Sequence, residues 1–222
     1  MSILKRKKEW IFDLDNTLYS ASTKIFDLID IRMKKYISNK FNLKPEEAYK
    51  LQKKLYYENG TTLSGLMKKF KVNPLEFLDY VHDINLSKIK KSLDLKCFID
   101  SLPGRKIIFT NGDVNWAKKI LTALGMSNSF HYIFDIIEAD FIPKPNLQSY
   151  NKFIKKYKVN PKKAVFFEDT EKNLVPAYKL GMTTIHIDIN HKKAKKKYKH
   201  FVDFKFSCIK SALKTISNNK LN

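Results

Sequence analysis

The 222-residue sequence predicts an α/β fold: a doubly wound, Rossmann-like parallel sheet with a helical cap inserted after its first strand. Three observations predict it. From about residue 106, strand-sized apolar runs alternate with helix-length segments. One apolar strand stands apart near the N-terminus and ends in acids. Between the two, over residues 24–86, the pattern is helical throughout.

In chain order, Trp10-Ile-Phe-Asp-Leu-Asp reads as the first strand. Ile25, Leu28, Ile29 and Met33 recur at helical spacing, as do Ala48, Leu51 and Leu55. Pro45 and Pro74 each sit in a first helical turn, where the missing N–H costs nothing. Lys106 to Thr110 predicts a strand and Asn115 to Leu124 a helix closed by Gly125. Tyr132 to Ile137 predicts a strand, Leu147 to Tyr157 a helix and Ala164 to Glu168 a strand. Asn173 to Leu180 predicts a helix closed by Gly181, and Thr183 to Ile187 a strand. Lys192 to Lys199 reads as a solvated connection. Phe201 to Phe206 reads as an edge strand and Ser207 to Ile216 as a terminal helix. The division expected is core over 1–17, helical cap over 18–87 and core over 88–222.

Hydrophobic residues make up 43% and aromatics 13%, which suits a packed core and excludes a disordered composition. No apolar run spans a bilayer. The basic stretch Lys5 to Lys8 is followed by acids, not by an apolar leader, so a cytoplasmic protein is expected. Cys97 and Cys208 form no CxxC pair and are expected as buried small hydrophobes. Net charge is +21, from 43 Lys and Arg against 22 Asp and Glu. The excess is scattered lysine, with arginine only at positions 6, 32 and 105, so no specific nucleic-acid partner is expected. The bias does attract small anions, phosphates included.

Four polar clusters each follow an apolar strand: Asp13-Leu-Asp15-Asn-Thr, Thr110-Asn111-Gly112-Asp113, Lys144 between two prolines, and Glu168-Asp169-Thr170 with Asn173 a turn later. In a parallel sheet, strand ends share one edge, where ligands bind. Asp13, Asp15, Glu168 and Asp169 then converge, which is costly unless cations sit among them. Hard divalent ions such as Mg²⁺ take such oxygen ligands. Thr110, the backbone N–H groups at Asn111 and Gly112, and Lys144 offer donors and positive charge to a phosphate. Together they suit phosphoryl transfer.

These four clusters resemble, in order, the four motifs of the haloacid dehalogenase superfamily, over nearly the whole chain. Trp10 to Tyr19, Tyr56 to Leu66, Val81 to Ile84, Leu102 to Arg105 and Phe141 to Pro145 resemble its pyrimidine 5′-nucleotidase branch. The resemblance implies Asp13 as nucleophile and Asp15 as general acid and base. It implies Mg²⁺ held by Asp13, the Asp15 carbonyl and Asp169, with Glu168 in support. Thr110 and Lys144 would hold phosphoryl oxygens, and Gly60, Thr61 and Thr62 would face the substrate, a small phosphomonoester. Dehalogenases of the superfamily lack an Asp two residues after the nucleophile, so Asp15 favours phosphate chemistry. Trp116 departs from the pattern; relatives carry His there.

Each residue also has a plain structural reading. Asp13, Asp15, Glu168 and Asp169 could cap turns or helices, Lys144 could be solvated, and Gly60 to Leu63 could be only a turn. His82 and Asp83 are expected to tie cap to core, and Tyr56 and Tyr57 to pack there. Two rivals to the nucleotidase reading stand: a phosphatase for phosphoglycolate or a sugar phosphate, and a basic nucleic-acid-binding protein on an idle scaffold. Oligomeric state is not legible.

Overall fold

The computed structural model describes residue 4, residues 6–190 and residues 199–218. Six strands form one sheet in the order β3-β2-β1-β4-β5-β6, and every neighbouring pair is parallel. They are β1 (Glu9–Phe12), β2 (Arg105–Phe109), β3 (Tyr132–Phe134), β4 (Ala164–Glu168), β5 (Thr183–Ile187) and β6 (Phe204–Phe206). The order reverses direction at β1. The chain builds outward through β2 and β3, then returns to the other side of β1 with β4. The carboxyl ends of β1 and β4 therefore flank the crevice where open α/β sheets bind ligands.

Alternation along the strands divides the core in two. Trp10 and Phe12 face one side with Ile108, Val165 and Phe167. Ile11 faces the other with Ile107, Phe109, Ala164 and Phe166. A two-residue period over a sheet covered on both faces requires this. Phe12 and Phe167, paired across β1 and β4, stack at 4.6 Å. Helices α6 (Val114–Leu124), α7 (Leu147–Tyr157), α8 (Glu171–Lys179) and α9 (Ile209–Asn218), with α5 (Leu93–Asp100), cover the faces.

Between β1 and β2 lie α1 (Ile25–Phe41), α2 (Pro45–Asn59), α3 (Thr62–Phe70) and α4 (Pro74–Val81), with no strand among them. Pro45 and Pro74 stand at helix starts as expected, the second behind the Asn73 side-chain cap. Gly65 lets α2 and α3 close together, since a Cβ there would lie 2.7 Å from Leu55 Cβ.

Several expectations are corrected. The strand expected to run to Ile137 stops at Phe134, because Asp135 turns the chain: it accepts the N–H groups of Glu138 and Val114. Of the 201–206 run, only Phe204–Phe206 pairs with β5. Helix α5 was not anticipated. Cys97 and Cys208 are exposed, not buried. The 192–199 connection falls, apart from residue 199, outside the described residues. Among the described residues no helix is long and apolar enough to cross a membrane.

Candidate active site

The site assembles at the carboxyl ends of β1, β2 and β4. β1 ends at Phe12, so Asp13 leaves the sheet first, its N–H donating to the carbonyl of Phe167 on β4. Thr17 Oγ1 donates to Asp13 Oδ2 at 2.9 Å. Lys144 Nζ donates to Asp13 Oδ1 at 2.7 Å, to Glu168 Oε2 at 2.8 Å and to the Phe109 carbonyl at 2.8 Å. The ammonium is thus fully used, and Lys144 is 2% exposed. Its loop is held by a reciprocal amide clasp. Lys144 N donates to Asn111 Oδ1 at 2.8 Å, and Asn111 Nδ2 donates back to the Lys144 carbonyl at 3.2 Å.

The carboxylates converge as the strand ends require. Oxygens of Asp13, Glu168 and Asp169 lie within 4.8 Å of one another. Burial, then Glu168, push the Asp13 carboxyl above its usual range, against the pull of Lys144. Burial, then Asp13 and Glu168, push Asp169 up likewise. Burial works against the charge on Lys144, but Asp13 and Glu168 outweigh it and hold its pKa above the ordinary value. Burial first, and then the crowding of carboxylates around one ammonium, sets the direction of the two carboxyl shifts. The all-oxygen donor set fits a hard divalent cation.

Asp15 is held separately. Tyr19 Oη donates to its Oδ1 at 2.6 Å and Trp116 Nε1 donates to the same oxygen at 2.9 Å. Burial raises the Asp15 pKa, opposed by these two bonds. Trp116 is fully buried, and its ring stacks on His82 at 4.7 Å. His82, just past α4, pairs through Nδ1 with Asp113 Oδ2 at 2.6 Å. Asp113 also caps α6 through the Trp116 N–H. Burial works to raise the Asp113 pKa, but the His82 bond prevails and holds it below the carboxylate range. His82 makes the expected tie, whereas Asp83, expected to do the same, pairs with Arg32 of α1 at 3.2 Å.

A cavity of about 410 Å³ opens above these groups. Asp13, Asp15, Lys144, Glu168, Asp169, Asn111 and Gly112 line its base. Gly60, Thr61 and Thr62 line it from the α2–α3 turn, with Phe26, Met33, Tyr49, Gln52 and Tyr56 beside them. Thr61 also caps α3, accepting the Ser64 N–H at 3.0 Å. Lys172 of α8 reaches across to donate to Tyr56 Oη at 3.2 Å. Thr110 is placed differently: it is buried, does not line the cavity, and its hydroxyl accepts the Gly112 N–H at 2.9 Å. Tyr19, Asn111 as clasp and Trp116 as donor to Asp15 were not assigned these roles from sequence. Tyr19 stands four residues after Asp15, so its reach back was the one readable signal.

The model of the haloacid dehalogenase-like hydrolases matches residues 10–179. The chain belongs to this family. Phosphate metabolism protein 8 of Saccharomyces cerevisiae is 28% identical over 197 residues, covering 79% of this chain. The chain spans 60% of the length of that relative. A HAD phosphatase from Thermococcus onnurineus shares the fold with TM-score 0.64 at 17% identity, covering 94% of this chain and 97% of its own. The L-2-haloacid dehalogenase of Xanthobacter autotrophicus, with chloropropionic acid covalently bound, does so with TM-score 0.57 at 11% identity, covering 95% and 98%. At these identities the solved structures testify to the fold alone.

Proposed function

We propose that this hydrolase is a Mg²⁺-dependent phosphomonoesterase working through an aspartyl-phosphate on Asp13, with pyrimidine 5′-monophosphates as substrates. The observation that carries the reading is Asp13 fixed between Lys144 and Thr17, with Asp15 two residues on as a second, separately held carboxyl. A hydrolase working on carbon–halogen bonds has no leaving alkoxide to protonate. The relative named for phosphate metabolism agrees with it.

In this scheme Asp13 attacks phosphorus, forming a carboxyl O–P bond as the bond to the leaving alcohol breaks. Asp15 gives its proton to the departing oxygen. It then takes a proton from water as that water attacks phosphorus and releases Asp13. Lys144, by turning the donor now given to Glu168, and the Asn111 N–H hold phosphoryl oxygens, the Gly112 N–H being given to Thr110 Oγ1. Asp13, the Asp15 carbonyl and Asp169 would hold Mg²⁺, with Glu168 in support; when bound, it supplies positive charge that offsets the developing phosphoryl charge.

We take residues 18–87 as a cap over a core of 1–17 and 88–222. Phosphate recognition then lies in the core, and selectivity in Gly60, Thr61, Thr62 and the aromatic wall. About 410 Å³ falls within the range of small-molecule sites. The reading includes a cytoplasmic location and no specific nucleic-acid partner.

The test is a panel of phosphomonoesters with Mg²⁺. UMP or CMP should exceed AMP and GMP in kcat/KM by roughly 10- to 200-fold, the range that even a small misfit in an apolar pocket supplies. Equal rates, or faster phosphoglycolate or sugar phosphate turnover, would reject the nucleotidase and keep the phosphatase.

A further inference from the structure

We propose that Trp116, with Tyr19, is a positioning residue for Asp15: the pair pins one carboxyl oxygen and so assigns the other to the leaving group. The inference rests on the phosphatase reading above and adds to it the residue that aims the acid.

Both bonds to Asp15 end on Oδ1, from Tyr19 Oη at 2.6 Å and from Trp116 Nε1 at 2.9 Å. An indole N–H donates and never accepts. A proton placed on Oδ1 would point at groups already giving hydrogens to it, and the indole could not reverse its role. Oδ2 is thus the oxygen left to carry the proton. With Oδ1 tethered on one side, the carboxyl plane cannot turn freely.

The tether is itself held at several points. Trp116 donates its backbone N–H to Asp113 Oδ1 at 2.9 Å. Its ring lies flat against His82, interplanar angle 11°, and His82 is fixed by Asp113 Oδ2 at 2.6 Å. Gly112 leaves room for the indole edge, since a Cβ there would lie 2.9 Å from Trp116 Cδ1. Asp113 therefore holds both the indole's backbone and the ring stacked on it. A buried Trp needs some acceptor for its N–H. That need alone is met by any carbonyl, whereas here the acceptor is the carboxyl that exchanges the proton.

Orientation and mere packing make different forecasts. A leaving group that is already a stable anion gains little from protonation, while an alkoxide depends on it. Wild type, W116F and Y19F are compared with Mg²⁺ on p-nitrophenyl phosphate and on two alkyl phosphomonoesters, UMP and glycerol phosphate. General acid catalysis typically contributes 10²–10⁴-fold, so a misaimed acid should lower kcat/KM, which reports the step in which the alcohol leaves, at least about tenfold on the alkyl esters. The loss of kcat/KM on p-nitrophenyl phosphate should stay under about threefold, whatever kcat loses through the hydrolysis step that all three esters share. W116F keeps an aromatic ring against His82; should it not fold, Y19F decides, with the same split expected. Equal losses of kcat/KM on both ester types, or no loss on either, overturn the inference while leaving the phosphatase standing. A wild-type protein that turns over none of the three esters overturns the phosphatase reading and this inference with it.

Discussion

Replacing Lys144 by Met should unsettle the fold before it touches chemistry, and a metal should undo much of the damage. The side chain is buried, and Nζ contacts Asp13, Glu168 and the Phe109 carbonyl within 2.7–2.8 Å. Met matches the aliphatic stem but leaves two buried carboxylates without their cation. Breaking a buried ion pair by removing one partner costs about 3–5 kcal/mol. For a chain of this size each kcal/mol moves Tm by about 2–4 °C, so the fall should be about 6–20 °C. The assay is thermal unfolding of wild type and K144M in EDTA and again in excess Mg²⁺. In EDTA the full deficit should appear; in Mg²⁺ it should shrink, because a bound cation serves the same two carboxylates. K144M/E168Q should sit above K144M, since removing both partners is nearer neutral than removing one. A K144M Tm within about 2 °C of wild type in EDTA would refute the account of Lys144 as the buried counter-ion.

D13N should lose turnover almost entirely, because an amide is no nucleophile; more than about a tenth of wild-type kcat in a preparation free of host phosphatase would sink the covalent scheme. D169A should weaken Mg²⁺-dependent activity more than E168Q, measured as activity against Mg²⁺ concentration; the reverse ranking would overturn the ligand assignment alone. Asp113 has a folded pKa below its ordinary value, so its pairing with His82 stabilises fully above that value and is lost as pH falls through the folded one. The Tm gap between wild type and D113N should therefore narrow below about pH 4, and a gap constant down to pH 2 would show that this pair does not titrate as described.

Much of the sheet and the base of the site were legible because both follow from period and order. Alternating strands in a parallel sheet place Asp13, Asn111 and Asp169 at one edge, whereas Lys144, well past the end of β3, is brought there by its loop and the Asn111 clasp. What escaped is either very local or very distant in sequence. Helix α5 is eight residues long, with only Leu95 and Ile99 turned inward, too few for a clear period. Cys97 lies between those two and so on the outer face, which is why it is exposed. Thr110 was expected to meet substrate, and its hydroxyl also accepts the Gly112 N–H two residues on, a turn the sequence did not announce. The bond from Trp116 to Asp15 joins residues 101 apart in sequence, and no spacing rule reaches that far.

The charge of the whole chain and that of the site have opposite signs, and the difference bears on how an anion arrives. Net charge is +21, yet Asp13, Asp15, Glu168 and Asp169 line the cavity base with Lys144. With all five ionised, the base carries a formal charge of −3, so a phosphate approaching the lysine-rich surface is attracted from afar and repelled at the bottom. Long-range attraction is screened over about 8 Å at physiological salt, whereas the repulsion acts inside a buried cluster that salt screens poorly. Surface lysines therefore assist encounter, and they cannot supply the charge that seats the phosphate. That charge has to come from a group inside the cluster, and Lys144 has no free donor left to give. A divalent cation among Asp13, Glu168 and Asp169 would bring that formal charge from −3 to −1 and free the Lys144 donor now given to Glu168. The raised pKa values of Asp13 and Asp169 point the same way: where no cation is held, the cluster lowers its charge by keeping protons, and a protonated Asp13 is not a nucleophile. In the proposed reaction, the need for a cation and the need for an ionised nucleophile are thus one electrostatic condition.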